Sequence, residues 1–336
     1  MTKKPCTWLI TGAAGFIGSN FSRYVLERGD RVVALDNLSS GQRTTIDRLE
    51  LYGGSRFRFI KGDIRDAEAV NQAAAGCHFT VHLAALVSVQ QSLADPELTI
   101  SINVEGFLKV YEASVTCGVE RFVYASSSAV YGDATADQMP IKETTPLNPL
   151  SPYASSKLAN EQDARELAIR HPGMKSVGLR FFNVFGAGQN PNGDYAAVIP
   201  KWISTMRENK APVIFGDGSA TRDFCHVDNI CALISSLCRR TQFPAGEVFN
   251  VGTATATCLS DLYDVIRSEK KNAGHKGWSG PPEHLPWRAG DIYHSVADTK
   301  LAKIRLGFSP LVDLRVGINR LLTQDAERFP SSVEEA

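Results

Sequence analysis

The chain has no excess charge of either sign, since its 36 lysines and arginines balance 36 aspartates and glutamates. No global field therefore draws it to nucleic acid or to an anionic membrane surface. It also has no apolar run approaching the roughly eighteen residues of a membrane span. Its seven cysteines, at 6, 77, 117, 225, 231, 238 and 258, are odd in number, scattered and without a Cys-x-x-Cys pair. They read as buried small hydrophobes, not as a disulfide framework. His78 and His82 lie four apart and Cys225 adjoins His226, but no further ligands converge on either pair in sequence, so no metal site is expected. The start, Met1-Thr2-Lys3-Lys4 and a short apolar run, lacks the length and the small-residue cleavage site of a signal peptide. A cytoplasmic protein with no nucleic-acid or membrane partner is the expectation. Internal repeats and low-complexity segments are also missing.

What is present is alternation. Candidate strands at Thr7–Thr11, Arg31–Asp36, Phe57–Lys61, Thr80–Ala84, Arg121–Ser126, Ser176–Phe182 and Val248–Val251 are separated by helical patterns. Those patterns include Phe16–Arg28, Ala67–Ala75, Ile100–Cys117 and Pro152–Ile169. Strand–helix alternation of this kind predicts an α/β fold, a doubly wound parallel sheet that binds ligands beyond the carboxyl ends of its strands. At 336 residues the chain exceeds most single cores, so a second, smaller C-terminal α/β lobe is expected. The expected division is 1–184 plus about 223–256 for the sheet domain, and about 185–222 plus 257–330 for the second. Ala196–Glu208 and Leu259–Lys271 read as helices of that lobe, with 186–194 and 272–290 as loops.

Two constellations carry chemistry. Thr11-Gly12-Ala13-Ala14-Gly15-Phe16-Ile17-Gly18 ends the first strand and opens a helix, as a phosphate-binding turn does. Gly12 permits the tight turn, Gly15 lets backbone approach a pyrophosphate, and Gly18 lets helix and sheet pack closely. Asp36 ends the second strand, where a carboxylate accepts from a ribose and repels a 2′-phosphate, favouring NAD over NADP; the alternative is a turn-initiating aspartate before Asn37. Asp63 ends the third strand, near an adenine or as a helix cap, and Ala84-Ala85 ends the fourth with small side chains. The second constellation is Tyr153-Ala-Ser-Ser-Lys157, which places a phenol and an ammonium on one helical face at i and i+4. Ser151-Pro152 reads as its N-cap and first helical residue. A nearby cation lowers a tyrosine pKa from about 10 toward the range of a useful base.

These blocks, with SSSAVYG (126–132), LRFFNVFG (179–186), YAAVIPKW (195–202), GDGSATRDFCHVDN (216–229) and WRAGDIYHSVAD (287–298), resemble the extended short-chain dehydrogenase/reductases. Within them the chain resembles the nucleotide-sugar 4-epimerases, with bacterial UDP-N-acetylglucosamine 4-epimerases of surface-polysaccharide pathways as the nearest likeness. The resemblance implies a Rossmann-type fold, NAD as cofactor, a UDP-sugar substrate and a homodimer pairing helices Ile100–Cys117 and Pro152–Ile169. It implies Ser127, Tyr153 and Lys157 as the catalytic set. For NAD it implies Gly12, Gly15, Phe16, Ile17, Gly18, Asp36, Asn37, Ser40, Gly41, Asp63, Ile64, Ala84, Ala85, Tyr153 and Lys157. Ser88, Ser127, Ser128 and Tyr153 fall on the sugar side. Asn183, Arg222 and Arg288 grip UDP, Ala197, Val198, Trp202 and Phe215 wall the nucleotide, and Asp291 meets a ribose. Trp202 has a place in a core as its alternative, and Arg222 a pairing in the neighbourhood of Asp223. Ser295, small where glucose-only relatives carry tyrosine, implies room for an acetamido group, unless it merely faces solvent. The expected reaction is interconversion of UDP-GlcNAc and UDP-GalNAc; UDP-glucose or UDP-uronate epimerases, and a dehydratase or decarboxylase, are the alternatives. The chain departs from its relatives at Val87 and Gln90-Gln91, and at Tyr293, where an arginine is common.

Overall fold

The computed structural model describes residues 4–192, 197–287 and 292–323. Seven strands form one sheet: β1 (Thr7–Thr11), β2 (Arg31–Asp36), β3 (Phe57–Lys61), β4 (Phe79–His82), β5 (Arg121–Ser127), β6 (Lys175–Phe181) and β7 (Glu247–Val251). Their order is β7-β6-β5-β4-β1-β2-β3, and every register recorded from β3 to β6 is parallel. The chain thus starts in the middle of the sheet, winds outward to β3, then crosses back beyond β1. This is the doubly wound, Rossmann-type arrangement, and the reversal beside β1 creates the crevice where such sheets bind ligands.

The expected strand ends hold to within a residue or two. β4 stops at His82 because the next two amides, of Leu83 and Ala84, turn to the Thr11 hydroxyl at 3.2 Å each. Ala84-Ala85 therefore lies in the loop beyond the strand. The helix expected at Ile100–Cys117 starts earlier, at Pro96 behind the Asp95 cap, and passes through a π-helical turn at Ser101–Glu105 before Gly106–Thr116. Ser151 caps the helix Pro152–Arg170 as expected, its Oγ accepting from the Ala154 amide at 3.2 Å.

The chain divides into two compact units. The first comprises 1–132, 146–181 and 231–249, and the second 133–145, 182–230 and 250–336. The first unit's core joins Leu9, Leu35, Val70, Phe107, Tyr111, Phe122 and Tyr124 between sheet and helices. Each such side chain contributes about 1.5–3 kcal/mol by leaving water. The second unit has its own core of Phe185, Ile199, Trp202, Met206, Ile214, Leu262 and Ile266. Its helices include Val198–Arg207 and Leu259–Asn272, and its strands are short. The segment expected to be one long loop, 272–290, contains the strand Glu283–Leu285, which pairs in parallel with Val213–Phe215. Helices at Arg43–Gly53 and Val227–Cys238 have no counterpart in the sequence expectation.

Candidate active site

In the first unit the glycine turn is built for close approach. Gly12 sits at φ +68°, and a Cβ there would lie 2.8 Å from the Ala84 nitrogen. A Cβ on Gly18 would lie 2.1 Å from the Gly12 oxygen, and one on Gly41 2.4 Å from the Ala14 Cβ. Gly15 precedes the helix Phe16–Glu27 without any side-chain cap, so the first-turn amides of Phe16, Ile17 and Gly18 are left to an anion. Asp36 accepts from the Ala14 amide at 2.9 Å and the Leu38 amide at 2.8 Å. The turn-initiating reading of that aspartate is realised, and it also ties down the glycine loop. Its carboxylate retains lone pairs for ribose hydroxyls.

Asn37 donates to Asp63 at 3.0 Å, and Arg65 grips the same carboxylate through Nε at 2.9 Å and Nη2 at 2.8 Å. The Arg65 hydrogen bonds hold Asp63 well below the usual carboxylate range. Asp63 also accepts from the Arg65 amide and its carbonyl from that of Asp66, so it shapes the turn after β3. Ile64 is buried, Ser40 is exposed, and Ala84 and Ala85 are half-buried. The glycines that tolerate no Cβ, the uncapped helix start and the placed carboxylate together fit a dinucleotide.

Ser127 ends β5 and caps a single 3-10 turn, Ser128–Tyr131, accepting from the Ala129 amide at 3.1 Å. Ser127 stands close enough to Tyr153 to draw the phenol pKa down. Lys157 is 3% exposed, donates to the Ala125 carbonyl at 3.0 Å, and lies 5.9 Å from the centroid of the Tyr153 ring. The electrostatics differ from the sequence expectation. Burial pushes the Tyr153 phenol up, Ser127 and not Lys157 pulls it down, and burial lowers Lys157 itself to about 8. A charged lysine is thus held in a dry site by one backbone carbonyl, beside a phenol. Ser88 caps the short helix Val89–Ala94, its Oγ accepting from Gln91 at 3.2 Å, and Ser128 is half-buried.

The second unit holds the remaining candidates. Arg222 lies in Thr221–Arg222, a strand flanked by Thr257–Cys258 and His294–Ser295, with Ser295 in register beside it. Its guanidinium donates to the carbonyls of Thr221 at 2.9 Å, Tyr293 at 3.1 Å and Ile292. The Asp223 carboxylate turns inward to the amides of Thr253, Ala254 and Ala297 and the Thr253 hydroxyl. Asn183 donates to the Asp223 carbonyl at 3.4 Å. Ser295 is 7% exposed, so it does not face solvent, and its carbonyl accepts from the Asp223 amide at 2.9 Å. Ala197 caps the helix Val198–Arg207 at whose start Val198 stands, and Phe215 ends the strand Val213–Phe215. Trp202 is buried in the second core, with Nε1 on the Val213 carbonyl at 3.1 Å. Tyr293 packs on Trp287 with ring centroids 5.3 Å apart. Arg288 and Asp291 lie outside the described residues. No group of three or more His, Cys, Asp or Glu side chains among the described residues is arranged to hold a metal.

Sequence reasoning missed Asn103, whose side chain accepts from the Leu86 amide at 2.7 Å and donates to Ser156 at 2.9 Å. It missed the buried pair Glu161–Arg180 too, although Glu161 continues the four-residue spacing of Tyr153 and Lys157.

A parallel Rossmann-type sheet with this glycine turn, a half-buried serine and tyrosine and a buried lysine defines a nucleotide-cofactor enzyme class. Residues 8–252 match the model of the NAD dependent epimerase/dehydratase family. The chain belongs to that family, and its cofactor is NAD. It is 36% identical over 320 residues to a UDP-glucose 4-epimerase of Mycolicibacterium smegmatis, covering 92% of this chain and 95% of the relative. A solved UDP-N-acetylglucosamine 4-epimerase from Methanobrevibacter ruminantium, in complex with UDP-N-acetylmuramic acid, superposes with a TM-score of 0.85 at 32% identity, covering 95% and 99% of the two chains. The UDP-glucose 4-epimerase of Thermus thermophilus, solved with NAD, gives a TM-score of 0.80 at 30% identity, with 97% and 100% covered.

Proposed function

We propose that this chain is a 4-epimerase interconverting UDP-GlcNAc and UDP-GalNAc through a transient 4-keto sugar. The observation that carries the reaction type is Lys157, buried and 5.9 Å from the centroid of the Tyr153 ring, with Ser127 acting on the same phenol. NAD, when bound, supplies the acceptor and later the donor of hydride at sugar C4. Gly12, Gly15 and Gly18 with the first-turn amides hold its pyrophosphate, and Asp36 its adenosine ribose; Asn37, Ser40, Gly41, Asp63, Ile64, Ala84 and Ala85 line the rest. Tyr153 takes the proton from the 4-hydroxyl, Ser127 holds the 4-oxygen and the phenol in line, and Lys157 places positive charge beside the phenolate. The lowered Lys157 pKa still leaves most of the side chain charged at neutral pH. The keto sugar then turns over, and Tyr153 returns the proton with the opposite face presented. Ser88 and Ser128 contact the sugar. Asn183, Arg222 and Arg288 hold the diphosphate, with Ala197, Val198, Phe215 and Asp291 on the nucleoside; Trp202 instead takes its alternative place in the second core.

Ser295, small and buried, supports the N-acetylated sugar. A second reading, UDP-glucose and UDP-galactose as the pair, is favoured by relatives named UDP-glucose 4-epimerase. A dehydratase is disfavoured because Ser128-Ala129 stands where its Asp-Glu pair would follow Ser127. Exposed Val89, Leu93, Leu98 and Ile100 near the helix Pro152–Arg170 support a homodimer. No described helix is long and apolar enough to cross a membrane. Incubating the purified protein separately with UDP-GlcNAc, UDP-glucose and UDP-GlcNAc-uronate, and following the anomeric signals by NMR, tests the reading. Conversion of only the plain or only the acidic sugar refutes it.

A further inference from the structure

The helical face that carries Tyr153 and Lys157 runs on to Glu161, and its side chain is only 6% exposed. The Glu161 carboxylate accepts Arg180 Nε at 2.9 Å and Nη2 at 2.6 Å, and also the hydroxyl of Ser126. Arg180, on β6, donates Nη1 to the Tyr131 hydroxyl at 2.6 Å, with its guanidinium 4.8 Å from that ring's centroid. Burial alone would favour losing the Arg180 proton, but the hydrogen bond and charge of Glu161 override it and raise the Arg180 pKa. Ser126 directly precedes Ser127, and Tyr131 ends the 3-10 turn that Ser127 caps. One ion pair is therefore wired to both flanks of Ser127 and, through Glu161, to the helix of Tyr153.

We propose that Glu161, Arg180, Ser126 and Tyr131 form a positioning frame that sets Ser127 against the helix of Tyr153. Burying two charges is costly, and apolar residues of equal volume usually stabilise a fold as well or better, so stability is not what the pair supplies. Its planar, two-pronged geometry fixes orientation, which a packed leucine does not. The frame rests on the reading of Tyr153 as the base, because misplacing a base by about an ångström costs on the order of a hundredfold in rate.

Tyr131→Phe and Ser126→Ala each remove one hydroxyl and leave the ion pair in place. Both are assayed with their co-purified NAD, and turnover is normalised to NAD-loaded molecules. The expected result is a fall in kcat of about tenfold in each, with KM and NAD content within about twofold of wild type. The double variant loses less than the product of the two, since both act on one frame. If the loaded molecules of both variants turn over within twofold of wild type, whatever the yield of folded protein, the frame is wrong. Losses that simply multiply, or that fall on KM or NAD content instead of kcat, also overturn it. Tyr153→Phe run in parallel separates the two readings: full turnover there removes the base, whereas loss there with normal Tyr131→Phe removes only the frame.

Discussion

The two units carry their candidate residues in different ways. In the first, the key ones sit at the ends of regular elements: Gly12 after β1, Asp36 at the end of β2, Ser127 at the end of β5, Tyr153 in the first turn of a capped helix. In the second, Arg222 and Ser295 sit on two-residue strands whose positions depend on carbonyls and on one buried carboxylate, Asp223. Side chains at element ends are placed by the sheet itself, with little freedom to drift. Side chains on short strands are placed by their neighbours, and substitution there retunes a site without dismantling it. On the proposed function, the first unit decides whether a reaction happens and the second decides on which sugar.

The sharpest break of that comparison is Tyr153→Phe, expected to lower turnover of every substrate by about a hundredfold or more while NAD stays bound. Steady-state rates with the nucleotide content of the purified variant check it, and retained turnover means the first unit does not supply the base. Next, Ser295→Tyr is expected to abolish turnover of the N-acetylated pair while sparing or improving the plain pair, because new bulk clashes with one substrate only. Rates on both pairs are the measurement, and equal losses would place sugar choice elsewhere, at Val87 and Gln91 for instance.

Gly18→Ala sets a Cβ against the Gly12 carbonyl. It should strip co-purifying NAD and cost about 1–3 kcal/mol of stability, read by nucleotide release and thermal melting. A smaller effect concerns pH. Lys157 has a folded pKa of about 8 against an ordinary 10.5. Between those values the unfolded chain holds the proton and the folded chain does not, so stability rises with pH across that window. On protein freed of NAD, wild type should gain on Lys157→Met by at most about 3 kcal/mol from pH 8 to 10.5; a flat difference in denaturant melts would contradict the buried ammonium. Smallest of all, Glu166→Ala breaks an exposed pair with Arg170 and should move stability by less than about 0.5 kcal/mol, within melting error.

Legibility followed the same division. The seven strands could be read because buried parallel strands are short β-branched runs between amphipathic stretches, and Ser151-Pro152 announced its helix by cap chemistry alone. The glycine turn was legible because only glycine fits where a Cβ meets backbone. Arg222, Asn183 and Ser295 came from resemblance, since two-residue strands leave no periodicity to read. The origin of the Tyr153 shift was misjudged because i and i+4 spacing reports adjacency but not burial, and burial dominates here. The Glu161–Arg180 pair joins residues 19 apart on different elements, a match that no local pattern encodes.

Ser295 contributes to its sheet through its backbone, whose carbonyl takes the Asp223 amide while Arg222 stands in register beside it. The sheet pairing at position 295 is therefore made by backbone atoms that every side chain shares. On the proposed function, a change at 295 would leave the Arg222 backbone pairing in place, so one codon change could exchange one hexose for another while the nucleotide is still held.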